Sequence, residues 1–310
     1  MTKIIHVAAG VISNTRGEIL IAKRDQNAHQ GGLWEFPGGK LESGETVDVA
    51  LVRELQEELG ITATQLSPLI QIRHDYSDKS VLLDVWRVTD FDGEAHGKEG
   101  QPVRWVSPVE LNQYNFPAAN VPIVAAAQLP SVLVISDAEQ SVESFLETLK
   151  HCLTEGVNLI QLRQHQWSPD QWHRAVAEAW PLCRNAGALL MLNSPKGDAR
   201  ADGVHLTAQQ LMASDQPLQK QAGQWLSASC HNAKEIQQAQ DRGVDFVTLS
   251  PVLPTQSHPG RPVLGWAEFS QLAARAKIPV YALGGLTDED LKPAIAAGAQ
   301  GVAGIRSWWQ

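Results

Sequence analysis

Three glutamates stand close together in the stretch GKLESGETVDVALVRELQEELGI, which covers residues 39–61. Glu57 follows Glu54 by three positions and Glu58 follows it by four, the two spacings that make side chains neighbours on an α-helix. Carboxylates at these spacings repel one another by roughly a few tenths of a kcal/mol per pair. A bound divalent cation would reverse the sign of that interaction. Because oxygen ligands select a hard ion, we expect Mg²⁺ or Mn²⁺ here.

The same stretch has helical periodicity over residues 46–59, with Val47 and Leu51 on the apolar face. Glu54 lies seven residues after Val47, and Glu58 lies seven residues after Leu51. Seven residues make two turns, so both carboxylates share the direction of the apolar face. In the alternative interpretation, a solvated acidic face, they would point away from Val47 and Leu51. The spacing therefore favours carboxylates turned toward the protein.

The residues around the cluster support a positioned site. Glu45 lies at the start of the predicted helix, where the helix dipole favours a carboxylate. Gly60 is suited to end the helix in the left-handed conformation. Arg53 adjoins the glutamates and is able to hold one carboxylate through two parallel hydrogen bonds. We therefore count Arg53 among the candidate catalytic residues.

The first part of the chain predicts strands on both sides of this helix. The predicted strands cover residues 4–12, 18–23, 69–76, 80–89 and 103–106, and a closing helix covers 121–127. Strands followed by one central helix and further strands predict an α+β sandwich. We place this domain at residues 1–129.

After Leu129-Pro130, short apolar runs alternate with helical segments. The runs are VLVI at 132–135, LIQL at 159–162, LLML at 189–192, GVHL at 203–206, WLSAS at 225–229, FVTLS at 246–250, VYAL at 280–283 and GVAG at 301–304. Eight strands with intervening helices predict an α/β fold, a (β/α)8 barrel of the TIM type, for residues 131–310. The main alternative is a doubly wound open sheet.

Composition excludes several classes of protein. The 310 residues carry a net charge of −9 without a basic stripe, which argues against a nucleic-acid polymer as partner. Three widely spaced cysteines fit neither a disulfide framework nor a zinc site. No signal peptide and no apolar run of membrane-spanning length occurs. We expect a cytoplasmic enzyme with small-molecule substrates and no membrane partner.

Residues 39–61 fit the pattern G-x5-E-x7-R-E-U-x-E-E-x-G-U, where U is aliphatic, and are identified as a Nudix box. Residues 1–129 closely resemble the MutT-type Nudix hydrolases that clear 8-oxo-dGTP. The resemblance extends to AKRDQNAH at 22–29, LWEFPGGK at 33–40, HGKEGQP at 96–102 and NFPAANVP at 115–122. It implies a hydrolase that sanitises the nucleotide pool, in which water attacks the β-phosphorus of a nucleoside triphosphate and yields a monophosphate and pyrophosphate.

The same resemblance implies roles for individual residues. The implied metal ligands are Glu54, Glu57, Glu58, Glu99 and the carbonyl of Gly38. One carboxylate must accept the proton of the attacking water, and Glu54 and Glu99 are both candidates for this catalytic role.

Base recognition carries over by resemblance to Asn120, Phe36 and Arg24. An amide offers both a donor and an acceptor, so Asn120 is able to read two adjacent positions on a purine edge. Phe36 supplies an aromatic face for stacking, and Arg24 supplies hydrogen bonds. Glu35 and His29 are further candidates for substrate binding, with a structural role as the alternative.

Residues 131–310 resemble thiamin phosphate synthase and its relative TenI. The matching pieces are QLR at 161–163, ADGVHL at 201–206, SASCHN at 227–232, SPVLPTQSHPG at 250–260 and YALGGL at 281–286. Glycine-rich loops after the late strands of such barrels hold phosphate. The implied phosphate site consists of Gly284, Gly285, Thr255, Ser257 and Arg306.

The second domain departs from the synthase pattern at its metal ligands. Asn193-Ser194-Pro195 stands where the family has Asn-Asp-Arg, and TAQQ replaces the acidic position after GVHL. His165 and His258 stand where the family has lysines. Without those carboxylates a departing pyrophosphate is poorly neutralised.

We therefore weigh three interpretations of the barrel. It is a binding or degenerate domain, an enzyme with another small-molecule activity, or a true synthase. For the whole chain, the corresponding classes are a sanitising hydrolase with an appended barrel, a thiamin-synthesis transferase with an accessory Nudix domain, and a hydrolase regulated by a barrel ligand.

Overall fold

The computed structural model describes residues 4–27, 30–75, 80–137, 140–193, 198, 200–213, 220–221, 223–255, 260 and 262–309. The chain divides into two compact units, Met1–Gln128 and Leu129–Gln310. Each unit has its own apolar core. No helix in these described ranges is long and apolar enough to cross a membrane.

The first unit contains two small sheets and two α-helices. Its elements are β1 (Ile4–Ile12), β2 (Ile19–Lys23), β3 (Trp34–Glu35), β4 (Gly38–Lys40), α1 (Val47–Leu59), β5 (Thr62–Asp75), β6 (Ser80–Asp92), β7 (Val103–Val106) and α2 (Val121–Gln128). One sheet has the strand order β4-β1-β6-β5 and the other has the order β3-β2-β7. Strands β1 and β6 run parallel, whereas β4 pairs antiparallel with β1.

Helix α1 forms where the periodicity predicted it. Thr46 precedes it in an extended conformation, and Gly60 ends it in the left-handed region with φ of 71°. Its buried residues are Ala50, Leu51, Leu55 and Leu59. These side chains pack against β1, so the apolar stripe fixes which way the glutamates face.

The α+β sandwich is confirmed, with two strands that sequence reasoning missed and one that begins earlier than predicted. Strands β3 and β4 have two and three residues, too few to show an alternating pattern. Strand β5 begins at Thr62, well before the predicted residue 69, because it bends through irregularities between Ala63 and Ile70. The turn of the predicted hairpin at 76–79 lies outside the described residues.

The second unit is a closed barrel of eight parallel strands. The strands are β8 (Val132–Ile135), β9 (Leu159–Leu162), β10 (Leu189–Leu192), β11 (Gly203–Leu206), β12 (Trp225–Cys230), β13 (Phe246–Leu249), β14 (Val280–Leu283) and β15 (Gly301–Gly304). The helices are α3 (Val142–Thr154), α4 (Pro169–Asn185), α5 (Ala208–Met212), α6 (Ala233–Asp241), α7 (Gly265–Ala273) and α8 (Leu291–Ala296). Because β15 pairs with β8, the sheet has no edge, which confirms the barrel and excludes the doubly wound alternative.

Candidate functional site

Strand β4 and helix α1 bring three of the predicted metal ligands together, namely Gly38, Glu54 and Glu58. The N–H of Gly38 donates to Oε2 of Glu58 over 3.2 Å. A Cβ on Gly39 would lie 2.3 Å from the carboxyl carbon of Glu54, and a Cβ on Gly38 would lie 2.1 Å from the carbonyl oxygen of Ala8. The glycines therefore allow β4 to approach both β1 and the glutamates of α1.

The carboxyl group of Glu58 lies in an environment that disfavours its negative charge. Burial is the main cause that raises the pKa of Glu58 to about 7; the Gly38 N–H lowers this pKa, and the negative charges of Glu35, Glu54 and Glu99 contribute smaller increases. Removal from water and nearby like charges both favour the neutral form of a carboxyl group. A divalent cation would favour the ionised form, so this environment fits a metal site.

Arg53 links the cluster to the start of the helix. Its Nε and Nη2 donate to the two carboxylate oxygens of Glu45, each over 2.8 Å, and its Nη1 donates to Glu54 over 2.9 Å. The bidentate contact expected from the sequence is made to Glu45, whose pKa Arg53 lowers to about 2. Arg53 thereby fixes the position of Glu54 next to β4.

The remaining two predicted carboxylates lie farther out. The side chain of Glu57 is 59% exposed and its Oε2 is 3.4 Å from Nη1 of Arg53. Glu99 lies in an exposed loop. As the side chains stand, no group of three or more His, Cys, Asp or Glu residues within the described ranges converges closely enough to hold a metal ion. The oxygen donors fit a hard cation chemically.

A cavity of about 250 Å³ lies beside the glutamates. Its lining includes the predicted residues Arg24, Glu35, Phe36, Gly38 and Asn120. The structure thus brings most of the predicted base-recognition residues next to Gly38 and Gly39. His29 lies outside the described residues.

Two contacts within this cavity organise the predicted residues. Phe36 is 3% exposed and stacks on Phe116 with ring centroids 5.4 Å apart. Arg24 donates to Glu35 through a short hydrogen bond, and burial raises the pKa of Glu35. One face of Phe36 is therefore occupied by protein.

Sequence reasoning missed Gln30, which also lines the nucleotide cavity. Gln30 has a φ of 59°, and its buried Oε1 has no hydrogen-bond partner among the described residues. A residue type that rarely adopts this conformation gives no local signal in the sequence.

A larger cavity, of about 460 Å³, opens at the carboxyl ends of the barrel strands. It is lined by the predicted residues Thr255, Gly284, Gly285 and Arg306. Ser257 and His258 lie outside the described residues. This end of the barrel is where the loops of such folds form sites.

The two glycines of this cavity also have a packing role. Gly284 has a φ of 105° and a Cβ there would lie 2.9 Å from Cα of Pro251. Gly285 has a φ of 71° and a Cβ there would lie 2.4 Å from the carbonyl oxygen of Pro254. Close approach of the two loops therefore requires glycine with or without a phosphate.

The departures from the synthase pattern have visible structural consequences. Thr207 and Gln210 form a reciprocal capping box at the start of α5, so the TAQQ stretch begins a helix. Asn193 lines the cavity, whereas Ser194 and Pro195 lie outside the described residues. The lining contains Arg163 and His165 but no Asp or Glu among the described residues.

Cys230 and His231 do not form a nucleophile–base pair. The Cys230 thiol is buried, and burial raises its pKa. His231 reaches the cavity and its Nδ1 lies 2.9 Å from Oε2 of Glu235. The two neighbours point in different directions, as alternation along a strand end requires.

Comparison with known proteins separates the two units. A family model described as NUDIX domain matches residues 8–126, and one described as Thiamine monophosphate synthase matches residues 132–308. An 8-oxo-dGTP diphosphatase of Escherichia coli (strain K12) is 46% identical over 123 residues, covering 40% of this chain and 95% of that protein. A CTP pyrophosphohydrolase of the same organism is 42% identical over 124 residues, covering 40% of this chain and 91% of that protein. A putative thiamine-phosphate synthase 2 of Aquifex aeolicus (strain VF5) is 35% identical over 183 residues, covering 57% of this chain and 97% of that protein.

Proposed function

Because the chain belongs to the Nudix family through its first unit and to the thiamine monophosphate synthase family through its second, we propose a pyrophosphohydrolase joined to a ligand-binding barrel. We assign residues 1–129 to the hydrolase and residues 131–310 to the barrel. The observation that carries the hydrolase is the carboxylate cluster of α1 beside a cavity that contains Phe36 and Asn120.

The proposed reaction converts 8-oxo-dGTP and water to 8-oxo-dGMP and pyrophosphate. Water attacks the β-phosphorus, the bond from that phosphorus to the bridging oxygen breaks, and the nucleoside monophosphate leaves with this oxygen. The oxygen of the water therefore ends in pyrophosphate. The name of the 46%-identical relative supports this substrate for the chain.

We assign a divalent cation, Mg²⁺ or Mn²⁺, to Glu54, Glu57, Glu58, Glu99 and the carbonyl of Gly38. When bound, it neutralises phosphate charge and lowers the pKa of a water molecule. Glu54 or Glu99 accepts the proton of the attacking water. Arg53 holds Glu54 in position through a hydrogen bond from its Nη1.

The nucleotide cavity supplies the proposed specificity. Phe36, which lines the cavity and is held by Phe116, stacks on the base. Asn120 reads the purine edge with its amide, and Arg24, held by Glu35, contributes a donor. His29 completes the proposed substrate-binding set.

The experiment is a hydrolysis screen with the full chain in Mg²⁺ or Mn²⁺, using 8-oxo-dGTP, dGTP, CTP and ADP-ribose. We expect the highest kcat/KM for 8-oxo-dGTP. A preference for CTP, the substrate in the name of the 42%-identical relative, would replace the proposed substrate and keep the reaction. A preference for ADP-ribose would contradict the proposed substrate class. Labelled oxygen from water found in the monophosphate would contradict attack at the β-phosphorus.

For the barrel, the proposed ligand is a phosphorylated small molecule. Backbone N–H groups of Gly284 and Gly285 and the side chains of Thr255, Ser257 and Arg306 form the proposed phosphate site. Because the lining has no carboxylate among the described residues, we propose binding with little or no thiamin phosphate synthesis. Thiamin phosphate should raise the melting temperature of the barrel, and Arg306→Ala should reduce this shift. Complementation of a strain without thiamin phosphate synthase would contradict the catalytic part.

A further inference from the structure

The deep end of the barrel cavity is built from polar side chains of four strands. Gln161 lies on β9, His205 on β11 and Thr248 on β13, and these three residues are 2%, 3% and 0% exposed. Ser229 on β12 lines the cavity beside them. These four residues are called the polar floor below. Barrel interiors are usually filled by branched apolar side chains, so a polar layer at this depth requires partners.

Two atoms of the polar floor lack such partners. Oε1 of Gln161 and Oγ1 of Thr248 are buried and have no hydrogen-bond partner among the described residues. His205 is not available to them, because its Nδ1 and Nε2 are each 2.8 Å from the hydroxyls of Ser227 and Ser229. A buried polar atom without a partner costs about 1–3 kcal/mol. Both residues line the cavity, so a ligand is able to supply the missing hydrogen bonds.

The mouth of the same cavity carries basic side chains. Arg163, His165, His231 and Arg306 line it, without Asp or Glu in the described lining. Burial lowers the pKa of both His165 and His205, and the charge of Arg163 lowers each further to a smaller extent. The mouth therefore favours an anion without a carboxylate-held metal ion.

Another part of the lining is aliphatic. It includes Ile135, Leu283, Ala303 and Ile305, and no Phe, Tyr or Trp side chain lines the described part of the cavity. Apart from the imidazoles of His165, His205 and His231, a flat heteroaromatic ligand would find no ring on which to stack. A carbohydrate places C–H groups against an aliphatic wall, and each of its hydroxyls both donates and accepts a hydrogen bond.

From this arrangement we propose that the barrel cavity binds a sugar phosphate, with the phosphate at the mouth and the hydroxyls on the polar floor. One hydroxyl donates to Oε1 of Gln161, and a neighbouring hydroxyl pairs with Oγ1 of Thr248. The volume of about 460 Å³ accommodates a pentose or hexose phosphate. This inference rests on the proposal that the barrel binds a phosphate ester, and it names the ligand class.

The test is calorimetric titration of the full chain with ribose 5-phosphate, glucose 6-phosphate, thiamin phosphate, ribose and inorganic phosphate. We expect at least one sugar phosphate to bind about tenfold or more tightly than inorganic phosphate or ribose, because both ends of the cavity are then used. We also expect it to bind more tightly than thiamin phosphate.

One isosteric variant tests the polar floor, and a second at an exposed threonine serves as its control. Thr248→Val should weaken sugar phosphate binding about three- to tenfold, the range for one hydrogen bond, without changing the affinity for inorganic phosphate. Thr154→Val, at an exposed position of α3, is the matched control and should change neither affinity.

The outcomes separate this inference from the proposed function. Tighter binding of thiamin phosphate, equal binding of inorganic phosphate and the sugar phosphates, or a Thr248→Val variant with unchanged sugar phosphate affinity would each overturn the sugar phosphate inference and keep a phosphate site. Failure of every phosphate compound to bind the unaltered chain would overturn both. The comparison of ligands on the unaltered chain does not depend on the folding of any variant.

Discussion

At the scale of single residues, the carboxylates of the Nudix box are unequal. Glu58 is withdrawn from water and receives the Gly38 N–H, and Glu54 is held by Arg53. Glu57 and Glu99 are exposed. We therefore expect the two inner glutamates, Glu54 and Glu58, to dominate catalysis and Glu57 to act mainly on metal affinity.

Replacing an inner glutamate should almost abolish hydrolysis. Glu54→Gln or Glu58→Gln should lower kcat by several orders of magnitude, because each change removes a negative charge and a contact that positions the water. Glu57→Gln should mainly raise the Mg²⁺ concentration needed for half-maximal activity. The exposed Glu94→Gln is the control and should leave both quantities unchanged in a steady-state assay. Unchanged kcat in either inner variant would show that the cluster is not catalytic.

The amide of Asn120 should control base choice rather than the rate of the chemical step. Asn120→Ala should reduce discrimination between 8-oxo-dGTP and dGTP by about 1–3 kcal/mol, because a buried purine edge loses its partner. The measurement is the ratio of kcat/KM for the two nucleotides, with the exposed Asn185→Ala as control. If the ratio stays the same, Asn120 acts only in the turn before α2.

At the scale of elements, the site depends on how closely β4 approaches α1. Strand β4 has three residues and pairs with β1 at Ala8 and Ala9. Helix α1 packs against β1 through its buried apolar side chains. The distance between these two backbones sets where Glu54 and Glu58 lie.

Adding one methyl group at this contact should disable the site. Gly39→Ala places a Cβ 2.3 Å from the carboxyl carbon of Glu54. The glutamate must move, and a displacement of about 1 Å costs on the order of 10²-fold in rate. Gly44→Ala is the control, since a Cβ there meets nothing within 4 Å, although its φ of 88° costs some stability. Equal kcat for both variants would contradict the positioning role of β4.

In the barrel, the buried His205 links β11 to β12 and should make stability depend on pH. Burial, with a smaller effect of Arg163, lowers the pKa of His205 to about 3. The unfolded chain binds a proton near pH 6.5 and the folded chain does not, so the stabilisation is complete above pH 6.5 and is lost as pH falls toward 3.

Calorimetry at pH 7 and pH 5 should reveal this loss. At pH 5 the barrel transition should lose about 2 kcal/mol through this residue. The variant His205→Gln should lose correspondingly less between the two pH values, whatever its stability at pH 7. Equal losses in both proteins would show that His205 is protonated in the folded barrel.

At the scale of the whole molecule, the proposed hydrolase residues all lie in the first unit. Residues 1–129 alone should therefore hydrolyse 8-oxo-dGTP with the same kcat/KM as the full chain, provided that a melting transition shows the fragment to be folded. A folded fragment with much lower kcat/KM would indicate that the barrel contributes to the reaction. Added sugar phosphate that changes the rate of the full chain alone would indicate regulation by the barrel ligand.

The sequence by itself determined the folds and the chemical class of the first site. Regular periodicity located α1 and all eight barrel strands, because a helical stripe and short apolar runs record burial directly. The spacing of Glu54, Glu57 and Glu58 predicted neighbouring carboxylates, because residues three and four apart are neighbours on a helix.

Only the tertiary structure decided which of these groups are withdrawn from water and which atoms lack partners. The short strands β3 and β4 carry no periodic signal, and they form because neighbouring strands supply their hydrogen bonds. The proximity of Gly39 to Glu54, the place of Gln30 in the nucleotide cavity and the polar floor of the barrel arise between residues distant in the chain. Such contacts depend on the packing of whole elements, which local sequence does not encode.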